Sequence, residues 1–109
     1  MKTNKEMEIC KKEITCFDDL VFGIHPSAGR GSVASMHELP NGIIISIIGG
    51  FPREGYTNMG GDGIHHFEIG AWHKEGHDWI PLGVDNPDGI LYWQNRNQVT
   101  EVIQKLLKM

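Results

Sequence analysis

The chain has 109 residues, and its fourteen acidic and ten basic side chains give a formal net charge of −4 at pH 7. A length near 100 residues predicts one small domain. Because basic residues are not in excess, direct binding of nucleic acid or of an anionic lipid surface is disfavoured. Two residue types stand out in the composition, namely glycine with fourteen residues and histidine with six.

The N-terminal residues carry mixed charge and no glycine, and their apolar side chains follow neither a helical nor a strand period. We therefore predict a flexible arm over residues 1–16 and a single domain over residues 17–109. The arm contains no apolar stretch of the roughly 7–15 residues that a signal peptide needs. No apolar run approaches the roughly 20 residues that span a bilayer. We expect a cytoplasmic protein with no membrane segment, in which Cys10 and Cys16 are reduced.

The clearest local pattern is a β-hairpin around residues 40–42, which read Pro-Asn-Gly. Proline suits the first central position of a type I turn, asparagine tolerates the second, and glycine takes the left-handed conformation that follows. Such a loop places Leu39 opposite Ile43 and His37 opposite Ile45. Isoleucine then falls on both faces of the second strand. This pattern is typical of a central strand, or of one whose second face is reserved for a partner.

Further strands are predicted at residues 64–73, 78–82 and 90–93, separated by turns rich in glycine, asparagine and aspartate. The apolar period then changes to that of an amphipathic helix, with Asn95 or Asn97 as its N-cap. The apolar stripe of this helix comprises Val99, Val102, Ile103, Leu106 and Leu107. The predicted fold class is α+β, a meandering antiparallel sheet of about five strands with one C-terminal amphipathic helix packed on it.

Several short motifs occur in a fixed order along residues 17–107. They are Phe17-Asp18-Asp19-Leu20-Val21-Phe22, His25-Pro26, Gly31-Ser32-Val33-Ala34, Pro40-Asn41-Gly42 with Ser46 in the next strand, and Phe67-Glu68. This pattern resembles small, largely uncharacterised accessory proteins that phages and prophages encode. The chain departs from it in its extra histidines and in a longer glycine-rich insert. The resemblance carries over no catalytic residues, and it implies a role directed at the host, such as anti-CRISPR inhibition of a defence nuclease.

Histidine is concentrated in residues 65–77, which hold four of the six. A zinc or other transition-metal site needs two to four imidazole or carboxylate ligands that converge at ~2.0–2.2 Å. His66, Glu68, His73 and His77 are the candidate ligands, and they indicate a metal-binding protein or metal-dependent enzyme as the alternative function. Because neighbouring residues of a strand face opposite ways, polar positions at a sheet edge are the favoured interpretation. No motif of a metalloprotease, hydrolase or nucleotide-binding loop accompanies them, which favours a protein without cofactor or catalytic residues.

The segment 49–63 has no periodicity, and its fifteen residues exceed the usual length of a loop. It contains aromatic residues, arginine and methionine, the types enriched at the centres of interfaces, interleaved with glycine. We predict that it binds a partner through Phe51, Arg53, Tyr56, Met59 and Asp62. A mobile loop whose Phe51 packs back on the core is the alternative. The glycines at 60–63 precede a strand rather than a helix, so we interpret them as a hinge and not as a phosphate-binding loop.

Acidic residues are concentrated in residues 54–88, which contain seven acids and one base, Lys74. An acidic surface of this kind can enter the basic groove of a protein that handles nucleic acid, although solvated turns give the same count. The sequence therefore favours a non-enzymatic accessory protein that binds a host or defence protein. A homodimer closed by the second isoleucine face is a further hypothesis.

Overall fold

Four antiparallel strands and one helix make up the part of the chain that the structure describes. The computed structural model describes residues 9–25, 31–50, 60–83 and 89–109. The elements are a 3-10 turn Phe17–Asp19, the strands β1 (Ser32–Glu38), β2 (Ile43–Gly50), β3 (His66–His73) and β4 (Leu91–Asn95), and the helix α1 (Arg96–Leu107). The strands follow one another in the order β1-β2-β3-β4. The predicted α+β class, with an antiparallel sheet and a C-terminal helix, is confirmed.

The hairpin between β1 and β2 has the predicted register. The N–H of Leu39 donates to the carbonyl of Ile43 at 2.7 Å, and His37 lies opposite Ile45. Gly42 has a φ of +83°, as the turn type requires. The register follows from the turn, because a loop one residue shorter would move every side chain to the other face.

The helix α1 packs on one face of the sheet through the predicted apolar stripe. Asn95 is its N-cap, and the Asn95 side chain and backbone exchange hydrogen bonds with Gln98 in a capping box. At the other end, the side-chain amide of Asn41 donates to the carbonyl of Leu106 at 2.8 Å. The first hairpin turn thereby adds a hydrogen bond to a carbonyl at the C-terminal end of the helix, which also accepts from the backbone N–H of Met109 at 3.2 Å. The buried core between helix and sheet comprises Ile43, Ile45, Ile47, Phe67, Ile69, Ala71, Val99, Ile103 and Leu106, with Ile14, Leu39 and Ile80 at its margins.

The opposite face of the sheet, which we call the far face, is partly covered by the chain itself. Ile44 lies between Glu38 and Trp72 in the strand register and is only 2% exposed. The rings of Trp72 and Trp79 pack against each other with centroids 5.1 Å apart. Because Ile44 is buried within a single chain, its burial needs no second copy. A homodimer stays a hypothesis.

The count of about five strands differs from the four named strands of the described residues. The segment predicted as a strand at 78–82 pairs with β3 only through one bridge, between Trp72 and Trp79. It lies beside the second half of β3, whereas β4 pairs with the first half. Two segments share one edge, so each is short, and Pro81 has no N–H with which to extend the pairing. The segment 20–25 likewise forms one bridge, from Gly23 to Ala34.

The outer edge of β1 is paired with backbone from the N-terminal residues. The N–H of Cys10 donates to the carbonyl of Met36 at 2.8 Å, and the N–H of Glu38 donates to the carbonyl of Cys10 at 3.1 Å. Ile14 is buried in the core. Residues 9–16 therefore contact the domain, residues 1–8 lie outside the described part, and the mobility of the predicted arm stays a prediction. Cys10 and Cys16 are both free thiols.

Across the described residues, no helix has both the length and the apolar character that crossing a membrane requires.

One of the buried polar residues is a histidine, whose protonation state depends on pH. His37 is 0% exposed, and its Nε2 accepts a hydrogen bond from the N–H of Val21 at 3.2 Å. Its Nδ1 has no hydrogen-bond partner among the residues that the structure describes. Burial lowers the pKa of His37 more than the nearby backbone of Lys12 raises it. The folded protein therefore holds His37 in its neutral form, with Nε2 as the acceptor.

We expect the free energy of unfolding to decrease as the pH falls below about 6.5. The unfolded chain binds a proton on His37 more readily than the folded chain does, so the contribution of the neutral histidine is complete above that pH and is lost below it. In His37→Gln, which keeps an acceptor for Val21 but does not titrate, the pH dependence should become shallower. Urea denaturation between pH 5 and 8 measures this, with the exposed His65→Gln as control. Equal pH dependence in His37→Gln and wild type would contradict the expectation.

Candidate partner-binding surface

The predicted binding loop begins and ends at one place in the structure. The N–H of Gly50, at the end of β2, donates to the carbonyl of Gly61 at 3.0 Å. The N–H of Gly63 donates to the carbonyl of His66, also at 3.0 Å. These hydrogen bonds hold the base of the segment 51–59, which itself lies outside the described residues. Its four candidate binding residues lie there too, and their role stays a prediction: Phe51, Arg53, Tyr56 and Met59.

The glycines at the loop base are required by close backbone packing. A Cβ on Gly61 would lie 2.3 Å from the carbonyl oxygen of His66, which no side chain can occupy. Gly63 has a φ of +75°, and a Cβ there would lie 2.8 Å from the backbone nitrogen of Gly50. The described glycines form a packed turn, and the hinge interpreted from the sequence stays a prediction. The close approach of the backbone to these glycines cannot be recognised in the sequence, and it is the reason that the turn requires glycine.

Asp62 organises the start of β3. Its Oδ1 accepts hydrogen bonds from the backbone N–H groups of Ile64, His65 and His66 at 2.9, 2.7 and 2.8 Å. These bonds, the one from Ile64 first, hold the pKa of Asp62 well below its usual value. Its Oδ2 lies 3.6 Å from Nδ1 of His66. Asp62 therefore supports the loop base, and a direct contact between Asp62 and a partner stays a prediction.

The four candidate metal ligands are not brought together. His66 and Glu68 lie at the start of β3, and His73 lies at its end. His73 lies seven positions after His66 on an extended strand, which at ~3.3 Å per residue sets them about 23 Å apart. His77 belongs to the turn that follows β3, beyond His73. Within the described ranges, no three histidine, cysteine, aspartate or glutamate side chains form a group that can hold a metal ion.

A β-bulge in β4 presents two aromatic residues opposite one residue of β3. Phe67 pairs with Gln94 and Ile69 pairs with Leu91, so two residues of β4, Tyr92 and Trp93, lie opposite Glu68. Trp93 has a φ of +56°. For a bulky side chain this left-handed conformation is an outlier that costs of order 1–3 kcal/mol. The N–H of Trp93 donates to the carbonyl of Gly60 at 2.6 Å, which links the bulge to the loop base.

Three exposed aromatic side chains lie on the far face around this bulge. Trp79, Tyr92 and Trp93 are 57%, 42% and 48% exposed, and we call this set the aromatic face. Trp79 lies over Gly70, since a Cβ there would meet its ring at 3.0 Å. The ring of Trp93 lies 6.0 Å from that of His66. Because Gly70 and His66 alternate with the core residues of β3, all of these contacts are on the side away from α1.

Glu68 adds a carboxylate to the aromatic face. Its Oε1 and the Cδ1 of Tyr92 lie 2.6 and 2.8 Å from the position that a Cβ on Gly60 would take. The carboxylate and the ring are therefore neighbours at the loop base. The sequence predicts Glu68 as a metal ligand and does not predict the aromatic face. The adjacent Tyr92 and Trp93 were a signal, but only the bulge places them on one side of the sheet.

Comparisons of the chain with known protein families, with curated proteins and with solved structures find no match. The interpretation of the surface therefore depends on its geometry. Exposed aromatic side chains beside an anchored loop are typical of protein-binding surfaces.

The left-handed conformation of Trp93 predicts an unusual order of stability among its variants. Trp93→Ala keeps a Cβ at a positive φ, whereas Trp93→Gly removes it, so the glycine variant should be more stable by about 1 kcal/mol. At Tyr92, whose φ is not positive, glycine should be less stable than alanine by roughly 0.5–1 kcal/mol. Urea denaturation of the four variants measures both differences. Alanine at least as stable as glycine at position 93 would contradict the bulge geometry.

Proposed function

We propose that this chain is a non-enzymatic accessory protein of the phage type that binds a host or defence protein. Its contact surface would comprise the loop 49–63 and the acidic segment 54–88. The observation that carries the proposal is the anchored base of the loop, where Gly50 and Gly61 are joined by a hydrogen bond. A loop whose ends are fixed loses less conformational freedom on binding than a free segment does, which favours its use in recognition.

The charge of the described residues is consistent with a basic partner. Four of the seven acids of the segment 54–88 are described, and they are Asp62, Glu68, Glu75 and Asp78. The one base of the segment, Lys74, donates to Glu38 at 3.0 Å, so its charge is paired. An acidic surface steers a basic partner toward it and raises the association rate. The basic groove of a defence nuclease, such as a CRISPR effector, has this chemistry.

The resemblance to phage and prophage proteins supports the choice of a host-directed partner, and it is also the basis for proposing a location in the host cytoplasm. That likeness depends mainly on turn and core motifs. Several of these motifs have structural roles here, since the residues 40–42 form the first hairpin turn and Phe17, Phe22 and Phe67 pack together in the core region. The partner class is thus proposed from the likeness, and the binding surface from the geometry.

A triple variant of the loop tests the proposal. The wild-type protein, immobilised and exposed to a bacterial host lysate, should retain a partner that can then be purified. Phe51→Ala/Arg53→Ala/Tyr56→Ala should weaken that partner's affinity at least about tenfold, because aromatic and arginine side chains carry most of the binding energy at interfaces. Isothermal titration calorimetry measures the affinity.

The matched control changes three exposed side chains of α1 and its C-cap, in Glu101→Ala/Lys105→Ala/Lys108→Ala. These positions lie on the outer side of the helix, away from the loop base, so the control should bind the partner as wild type does. Equal affinity of the loop variant and wild type would refute the proposal.

A further inference from the structure

We infer that His37 is a pH-sensitive latch, which holds residues 20–25 on the outer edge of β1 at neutral pH and releases them in acid. We call residues 20–25 the edge strap. None of these residues belongs to the surface proposed for a partner, so the inference does not rest on the proposed function. It concerns how a closed edge of the sheet can open.

The edge strap lies along β1, which is the first strand in the sheet order. Gly23 and Ala34 exchange two backbone hydrogen bonds, each 2.8 Å long. Two residues before Gly23, the N–H of Val21 donates to Nε2 of His37 at 3.2 Å. Because Ala34 and His37 both belong to β1, the backbone and a side chain of one strand hold the edge strap together.

The hydrogen bond between Val21 and His37 depends on the protonation state of the imidazole. A neutral imidazole accepts at one nitrogen, whereas a protonated one carries a hydrogen on both and accepts at neither. Protonation of His37 therefore sets two N–H donors against each other. It also puts a charge on a side chain that is 0% exposed and lies opposite the core residue Ile45. Since burying a charge is costly, uptake of a proton favours the state in which the edge strap has left His37.

The N-terminal segment beside His37 carries one cation that acts on it. Burial is the main cause that lowers the pKa of His37, and the positive charge of Lys12 lowers it further. The backbone of Lys12 raises this pKa in part. The ammonium of Lys12 donates to the carbonyl of Asp19 at 3.2 Å. Cys10, whose backbone pairs with β1 next to His37, is a free thiol.

The other elements around His37 place their titratable groups elsewhere. The strand β2, which pairs with β1, contains no titratable side chain. Glu38 follows His37 in β1, so it points to the opposite face, and it pairs with Lys74 at 3.0 Å. The titratable side chains of α1 are exposed, and they are Arg96, Glu101 and Lys105. The edge strap itself carries His25, whose pKa is also lowered by burial, and its N–H donates to the hydroxyl of Ser32 at 3.1 Å.

The release is local, because the residues before the edge strap are anchored separately. The N–H of Phe17 donates to Oγ1 of Thr100 in α1 at 3.0 Å, and the ring of Phe17 lies 5.0 Å from that of Phe67. The carboxylate of Asp19 accepts a hydrogen bond from the N–H of Thr15 at 2.9 Å. None of these contacts involves an imidazole. The 3-10 turn therefore stays in place, and the chain leaves β1 only after this turn.

Release of the edge strap uncovers a strand edge and apolar side chains. The ring of Phe22 lies 5.6 Å from that of Phe67, and Leu20 packs against the core. These contacts are lost when the edge strap leaves, and the backbone groups of Ala34 lose their partner. An uncovered strand edge can pair with an extended segment of another chain. The latch thus keeps this edge closed at neutral pH and opens it in acid.

Amide hydrogen exchange followed by NMR between pH 5 and 8 tests the inference in the wild-type protein. The protection of each amide is corrected for the pH dependence of exchange in an unfolded chain. We expect the amides of Val21, Gly23 and Ala34 to lose protection together below about pH 6.5, where an accessible histidine takes up a proton. The loss should reach up to about tenfold for each pH unit, which is the limit for uptake of one proton.

The control amides belong to hydrogen bonds elsewhere in the sheet. The N–H of Gly50 donates to Gly61 at the loop base, and the N–H of Ile80 donates to Ala71 of β3. Their protection should change much less than that of the edge strap. An equal decrease at Gly50 and Ile80 would show that the whole domain opens, and it would overturn the inference. Unchanged protection of Val21 down to pH 5 would overturn it as well.

Two matched variants separate His37 from the histidine of the edge strap. His37→Gln keeps an acceptor for Val21 but does not titrate, so the loss of protection in acid should disappear. His25→Gln removes the other titratable imidazole, and it should keep the loss of protection. The opposite result, with the pH dependence removed by His25→Gln and kept in His37→Gln, would contradict the role of His37.

Nitrogen chemical shifts of the His37 imidazole give the same test without a substitution, should His37→Gln fail to fold. The inference predicts that His37 takes up its proton over the pH range in which Val21 loses protection. An imidazole that stays neutral while the edge strap is released would overturn the inference.

Discussion

The close backbone contact between the end of β2 and the turn before β3 is the constraint on which the candidate site depends. It brings Gly50 within hydrogen-bond distance of Gly61, and no side chain larger than hydrogen fits at Gly61. The same turn carries Asp62, which accepts hydrogen bonds from the backbone N–H groups of the two residues before β3 and of His66, its first residue. It also carries Gly60, whose carbonyl accepts the N–H of Trp93. The loop base, the start of β3 and the bulge of β4 are therefore parts of one arrangement.

The two faces of the sheet differ in how completely they are buried. One face packs on α1 and contains the continuous apolar core, so it accounts for stability. The far face carries the buried Ile44 in one part. In another part it carries the half-exposed aromatic face and the carboxylate of Glu68. A sheet with isoleucine on both sides of its central strand thus needs no second layer over its whole area. The exposed aromatic side chains lie beside the loop base, and this is the surface that we propose for a protein partner.

Local chemistry predicted the elements whose geometry is local. The turn at 40–42 set the register of the first hairpin, and the helical period with Asn95 set the helix and its cap. The bulge at Trp93 was not predictable, because it arises from the pairing of β4 with β3 and with Gly60. The single bridge of Trp79 depends likewise on two segments sharing one strand edge. The metal hypothesis assigned His66 and His73 to one site, whereas the extended strand that carries both sets them about 23 Å apart. The length of the segment 49–63 predicted a loop, but nothing in the sequence predicted the hydrogen bond between Gly50 and Gly61 at its base.

Hydrogen–deuterium exchange of the protein, alone and in complex with its purified partner, tests the central claim most directly. Amides buried by a partner exchange more slowly than in the free protein, and peptide fragments assign the change to segments. The account predicts slower exchange in residues 49–63 and 90–95 of the complex, with little change in α1. Protection confined to α1 or to the outer edge of β1, with residues 49–63 and 90–95 unchanged, would contradict it.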